Sequence, residues 1–310
     1  MKKKIVTIGL IQSKVSADIS ANLKKTEKMI RQAAKKGAQI ICLQELFQTP
    51  YFPLRSGVSK TKYAETVPGP ISNAMQKLAK ELGVVIIVPI YERNKNGNFY
   101  NIAIVFDHTG KMLGNYRKLH IPHDPGFYET EYFEEGDQGY KVFNTKFGKI
   151  AVLICFDQWF PEAARAVKLA GAEIIFYPTA IANILGYVPP EGNWHDAWET
   201  NMRGHAIANG VTVVAVNRTG IEGRAHFWGQ SFICDAFGKI LKLASATKEQ
   251  ILVDKVDLNM NTYISDSWGF LRDRRPDTYG PLTKKKDPKL VKKSIHVLKE
   301  EKKRTQKLSR

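Results

Sequence analysis

Three stretches of this chain each set a reactive side chain at or just beyond the end of a strand pattern: Glu45 in AQIICLQELF, Lys118 in KMLGNYRKLHIP and Cys155 in KIAVLICFDQWFPEA. A carboxylate can take a proton, an ammonium can hold a developing negative charge, and a thiol can attack a carbonyl carbon. Together they are the parts needed for acyl transfer to sulfur. Each also has a plainer use when taken singly. A cysteine on an apolar strand is commonly a small core residue, the reading that also suits Cys42 and Cys234. Glu45 could be a satisfied loop acid, and Lys118 one solvated lysine among many.

Groups that do chemistry must be held by something rigid. In open α/β architectures, side chains just past the carboxyl ends of strands are fixed by the sheet yet reach a crevice. Apolar periodicity predicts strands at 5–12, 38–44, 84–92, 101–107, 111–117, 149–156, 173–179, 212–218, 229–235 and 251–258. Helical patterns lie between them at 22–36, 72–82, 161–170 and 195–209. Gly37, Gly83 and Gly171 stand where helices should stop, and Pro161 with Glu162 where one should start. The links DHTGK (107–111) and DAFGK (235–239) predict hairpins, so the sheet content is mixed. Continuous apolar strands such as IAVLICF imply burial on both faces, with amphipathic helices outside. Periodicity leaves open whether there is one sheet or two.

The segments around Glu45 (LQELF), Lys118 (YRKLHIP) and Cys155 (ICFDQWFPEAAR) resemble, in order and spacing, the Glu, Lys and Cys segments of the nitrilase (carbon-nitrogen hydrolase) superfamily. The resemblance runs from about Lys4 to Thr283 and includes YPTAI (177–181), GHAIANGVTVVAVNRTG (204–220) and SDSWGFLRDRRPDTYGPL (265–282). It implies a single-domain α/β fold, a four-layer α-β-β-α sandwich with mixed sheets. The chain is therefore divided into a hydrolase domain at 1–283 and a basic C-terminal extension at 284–310. It implies no cofactor and no metal, and assembly into a homo-oligomer, a dimer or larger.

Carried over residue by residue, the resemblance makes Cys155 the nucleophile and Glu45 the general base. Lys118 and the backbone N–H of Phe156 become the oxyanion donors. Glu129 is expected to orient substrate and Lys118, with Glu131 the weaker match. Members that bind an anionic substrate place an arginine shortly after the cysteine, whereas this chain has Gln158 and Trp159 and no arginine before Arg165. FDQWFPEAARA with GAEIIFYPTAI is similar to the branch that hydrolyses N-carbamoylputrescine, a small cationic ureido substrate. An ammonium needs carboxylate or aromatic partners. Trp159, Tyr51 and Phe52 are candidates for the aromatic surface, and Glu191, Asp196 and Glu199 for the acid. The rival within the family is another ureido or linear-amide hydrolase.

The net charge of +17 invites a nucleic-acid reading, so its distribution matters. Residues 281–310 carry ten Lys and two Arg against Asp287, Glu300 and Glu301, so more than half of the excess lies in the tail. The tail lacks aromatic residues for stacking on bases, and nucleic acid is not the expected partner. Its Leu290, Val291, Ile295, Val297 and Leu298 could form one helix stripe. Three scattered cysteines argue against a disulfide framework and for a reducing, cytoplasmic setting. No apolar run is long enough to span a membrane. His120, His123, His195, His205 and His226 show no ligand spacing and are read as structural. SDSWGFLRDRRP is read as a segment pinned by Asp–Arg pairs.

Overall fold

The computed structural model describes residues 4–285, 293 and 295–308. Two six-stranded sheets face each other. In the first the order is Gln250–Asp257, Ile5–Gln12, Ile40–Leu43, Val85–Arg93, Phe99–Phe106 and Met112–Arg117. In the second it is Ile240–Leu243, Phe232–Cys234, Thr212–Val216, Ile174–Pro178, Gly148–Val152 and Val142–Thr145. Both are mixed. Ile5–Gln12, Ile40–Leu43 and Val85–Arg93 run parallel, as do Gly148–Val152, Ile174–Pro178 and Thr212–Val216, and the outer strands are antiparallel.

The alternation of side chains along each strand explains the four layers. Ile40, Cys42, Val85 and Ile87 point into a core shared with Ile150, Val152, Ile174 and Phe176 of the other sheet. Their neighbours Ile41, Leu43, Ile86 and Val88 pack outward on Met29, Ile30, Met75 and Leu78 of the helices Ile19–Lys35 and Pro70–Leu82. On the far side, Val167, Trp198 and Met202 bring the helices Pro161–Leu169 and Trp194–Asn209 onto the second sheet. Each such side chain contributes roughly 1.5–3 kcal/mol on full burial, and burial on both faces is why the strands read as unbroken apolar runs.

Local signals account for the element ends. Asp18 caps the first helix by accepting from the Ala21 N–H at 2.9 Å, which starts it three residues before the apolar pattern of 22–36 does. Gly83, at φ 66°, closes the second. The two expected hairpins share one turn chemistry: Asp107 Oδ1 accepts from the N–H groups of Thr109 and Lys111, and Asp235 Oδ1 from those of Phe237 and Lys239.

Several features differ from the sequence expectation. The strand predicted at 149–156 ends at Val152, and Cys155 instead opens a short 3-10 turn, Cys155–Trp159. A three-stranded sheet, Ala182–Ile184 with Ala225–Trp228 and Thr219–Glu222, caps the end of the sandwich near that turn. A fifth helix, Leu258–Trp268, was masked by its polarity: only Leu258, Asn261 and Ile264 are buried. The pairs Arg272–Asp273 and Arg275–Asp277 form, but between near neighbours in solvent, so they pin nothing distant.

The C-terminal helix Ile295–Leu308 lies against the domain. Arg224 Nε donates to the Lys307 carbonyl at 3.1 Å, and Lys293 Nζ pairs with Asp124 at 2.9 Å. Of the stripe expected in the tail, Leu290 and Val291 lie outside the described residues, and Ile295, Val297 and Leu298 are exposed. Among the described residues no helix is long and apolar enough to cross a membrane.

Candidate active site

The carboxyl ends of Ile40–Leu43 and Met112–Arg117 deliver Glu45 and Lys118 to one buried point. Lys118 Nζ donates to Glu45 Oε1 at 3.0 Å and to Glu129 Oε2 at 2.6 Å, and all three side chains are fully buried. Asn101 Nδ2 also donates to Glu45 Oε1, at 2.8 Å, and the Tyr51 hydroxyl donates to Glu129 Oε1 at 2.5 Å. Three of the four carboxylate oxygens are thereby engaged. The fourth, Glu45 Oε2, is buried and has no hydrogen-bond partner among the described residues.

Cys155 meets this cluster from the opposite sheet. Its φ is 44°, a left-handed conformation that costs an L-residue about 1–3 kcal/mol and clusters at functional sites. Leu46, next to Glu45, is held at φ 48°. Strain thus sits beside both the thiol and the carboxylate. Each strained turn is over-determined by buried polar contacts. Asp157 accepts from the Ile154 N–H, the Tyr116 hydroxyl, and both the backbone N–H and Nδ1 of His120, fixing the cysteine turn. The Gln158 carbonyl takes Asn201 Nδ2 and His205 Nε2, and its side-chain oxygen takes Trp198 Nε1. Arg218, fully buried, does the same for the Glu45 turn by donating to the carbonyls of Glu45, Leu46 and Thr49 and to Glu222.

The electrostatics follow from burying two acids, one base and a thiol together. Burial and the Glu45 carboxylate push the Cys155 thiol well up, against the pull of Lys118. Its resting form is the neutral thiol, so attack requires a base. Burial works against charge on Lys118, but Glu129 and Glu45 outweigh it and hold the ammonium charged. Burial raises Glu129 to about 7 even though Lys118 and Tyr51 pull it down. The set can therefore remove a thiol proton at an open carboxylate oxygen and offer a fixed positive charge to an oxyanion.

A cavity of about 270 Å³ opens at Cys155. Phe156 and Trp159 line it. Of the candidate acids Glu191 lines it. Asp196 is exposed beside His195, and Glu199 pairs with Arg203. Tyr51 and Phe52 do not supply its aromatic wall. Tyr51 stands behind the cluster on Glu129, and Phe52 packs among Tyr63, Tyr91, Tyr132 and Phe133. Glu131 faces outward and accepts from Ser56 Oγ and the Gly57 N–H. Cys42 and Cys234 are buried and unpaired in the core.

Sequence reasoning missed Asn101, Arg218, Asp124 and Arg304. Arg218 carries a readable signal, a charge directly behind the wholly buried strand Thr212–Val216. Asp124 and Arg304 line the same cavity as Cys155 and carry none, because the tail that brings Arg304 there is remote in sequence. No arginine follows the nucleophile before Arg165 in sequence, but Arg304 lines the same cavity.

The profile described as "Carbon-nitrogen hydrolase" matches residues 7–263. An N-carbamoylputrescine amidase of Arabidopsis thaliana is 46% identical over 292 residues, 91% of this chain and 96% of that protein. The one from Solanum lycopersicum is 44% identical over the same shares. The crystal structure of a carbon-nitrogen hydrolase from Helicobacter pylori G27 superimposes with a TM-score of 0.87 at 37% identity, covering 91% of this chain and 100% of that one.

Proposed function

We propose that this chain, which belongs to the carbon-nitrogen hydrolase family and is a hydrolase acting on the carbon–nitrogen bonds of linear amides, cleaves N-carbamoylputrescine to putrescine, carbon dioxide and ammonia. The observation that carries the mechanism is Glu45 Oε2, which among the four carboxylate oxygens of Glu45 and Glu129 is the one without a hydrogen-bond partner among the described residues.

Cys155 Sγ attacks the ureido carbonyl as Glu45 Oε2 takes its proton. Lys118 and the Phe156 N–H hold the oxyanion, donors of a kind worth about 3 kcal/mol each. Collapse expels ammonia, which receives the proton from Glu45 and leaves an N-alkyl thiocarbamate on sulfur. Water, activated by Glu45, adds to that carbonyl and restores the thiol. The released N-alkylcarbamate loses carbon dioxide and leaves the diamine. The ammonium at the far end of the substrate is met by Glu191, Asp124 and the Trp159 ring. Formation of putrescine from agmatine is the pathway step this reading implies, and a homo-oligomer its form.

Ammonia release from N-carbamoylputrescine, N-carbamoyl-β-alanine and a simple nitrile tests the reading. The first should show the highest kcat/KM, and preference for either of the others overturns it.

Glu129 acts as a positioning residue, since it touches Lys118 and Tyr51. Its carboxylate form is the one that balances Lys118, so kcat/KM should rise with pH through about 7, the value to which burial lifts it. Glu129→Gln should lower kcat about 10²-fold, the scale of a misplaced catalytic group, and erase that acid limb. A limb that survives in the variant would show that another group titrates there.

A further inference from the structure

The cavity at Cys155 ends in groups of both signs. Glu191 and Asp124 line it, and so does Arg304 of the C-terminal helix. Burial sets the direction: Cys155 is 5% exposed, whereas Glu191 and the helix lie at the outer end. One indole organises that end. Trp194 Nε1 donates to Glu191 Oε1 at 2.7 Å, and the guanidinium of Arg304 lies 5.3 Å from the Trp194 ring and 5.8 Å from that of Tyr187. The helix is held there by the Arg224–Lys307 hydrogen bond and the Lys293–Asp124 pair, and by Leu308, whose Cδ1 would lie 3.2 Å from a Cβ at Gly126.

Arg304 sits among these acids without being consumed by them. Among the described residues it forms no ion pair within 4.0 Å, and its Nε is buried without a hydrogen-bond partner. A guanidinium set over aromatic faces and lining a ligand cavity, with no carboxylate of the described residues within 4.0 Å and Asp124 acting on it only at longer range, is an anion receptor. Beside it Glu191 is a cation receptor. The compact group that satisfies both is a carbon bearing an ammonium and a carboxylate.

We infer that the C-terminal helix is the outer wall of the active site and that Arg304 determines specificity, admitting ureido substrates whose far end is an α-amino acid. The inference rests on the ureido-hydrolase reading of Cys155. It adds a carboxylate site that the sequence around the nucleophile lacks. Toward a bare ammonium Arg304 is a like charge, so its loss should not weaken a diamine-derived substrate.

The test compares wild type, Arg304→Ala and Arg304→Lys on three probes. N-butylurea is neutral, N-carbamoylputrescine ends in an ammonium, and L-citrulline is the latter with a carboxylate on its amine-bearing carbon. In Arg304→Ala the ratio of kcat/KM for L-citrulline to that for N-butylurea should fall at least about tenfold, the lower end of what a charge-assisted hydrogen bond contributes. The loss should lie in KM, and Arg304→Lys should restore part of it. The ratio for N-carbamoylputrescine to N-butylurea should stay level or rise. An equal loss on all three probes would show that Arg304 only docks the helix, and overturns the inference. So would a wild-type enzyme that hydrolyses N-carbamoylputrescine while L-citrulline is neither hydrolysed nor a competitive inhibitor. No ammonia from any probe with wild type would instead defeat the underlying reading, and the inference with it.

Discussion

Cys155→Ala is expected to reduce ammonia release by at least about 10⁴-fold, the scale on which loss of a nucleophile acts, while leaving the fold intact. Alanine keeps the Cβ and the backbone at φ 44°, and the contacts that hold the turn belong to Asp157 and Gln158. Thermal unfolding should therefore be nearly unchanged. Cys155→Gly should be equally inactive yet more stable than the alanine variant, because glycine adopts the left-handed conformation without penalty. Alkylation gives a parallel readout: of the three cysteines only Cys155 opens on the cavity, while Cys42 and Cys234 are fully buried. Retained turnover in Cys155→Ala would remove the thiol from the mechanism, and with it the reason for the strain at that turn.

The parts of this site that could be read from the sequence are those that one strand end fixes alone. Glu45, Lys118 and Cys155 each follow a strand, and the sheets bring the strand ends together. What could not be read is the support. Asn101 holds Glu45 from the start of Phe99–Phe106, a position indistinguishable in sequence from any polar residue in a strand. Arg218 reaches the Glu45 turn across the sandwich, and Arg304 arrives on a helix whose docking rests on a few polar contacts and Leu308. The four layers had the same limit. Unbroken apolar strands reveal burial on both faces, but the strand faces that meet are chosen by Ile40 and Cys42 packing on Ile150 and Val152, a contact of high sequence separation.

Lys118→Met should damage activity and stability together, because this lysine is a proposed oxyanion donor and, among the described residues, the cation that touches both buried acids. Activity should fall about 10²–10³-fold for the lost donor alone. Breaking a buried ion pair by removing one partner costs about 3–5 kcal/mol, and here the cost depends on pH in a direction that can be worked out. In wild type, burial raises Glu129 to about 7 while Lys118 pulls it down. Without Lys118 that pull is gone while the Glu45 charge still bears on Glu129, so Glu129 holds its proton to higher pH. A carboxyl raised in the folded state contributes stability that is fully present below its unfolded value, near 4.3, and is lost as pH climbs through the folded value. Wild type completes that loss near neutrality. The variant goes on losing about 1.4 kcal/mol per pH unit for each extra proton held. Denaturation followed at pH 6 and at pH 9 should therefore show a gap between the two proteins that widens toward alkaline pH. Parallel stability curves would mean that the two acids do not share a field, and that Lys118 is not what allows them to be buried together.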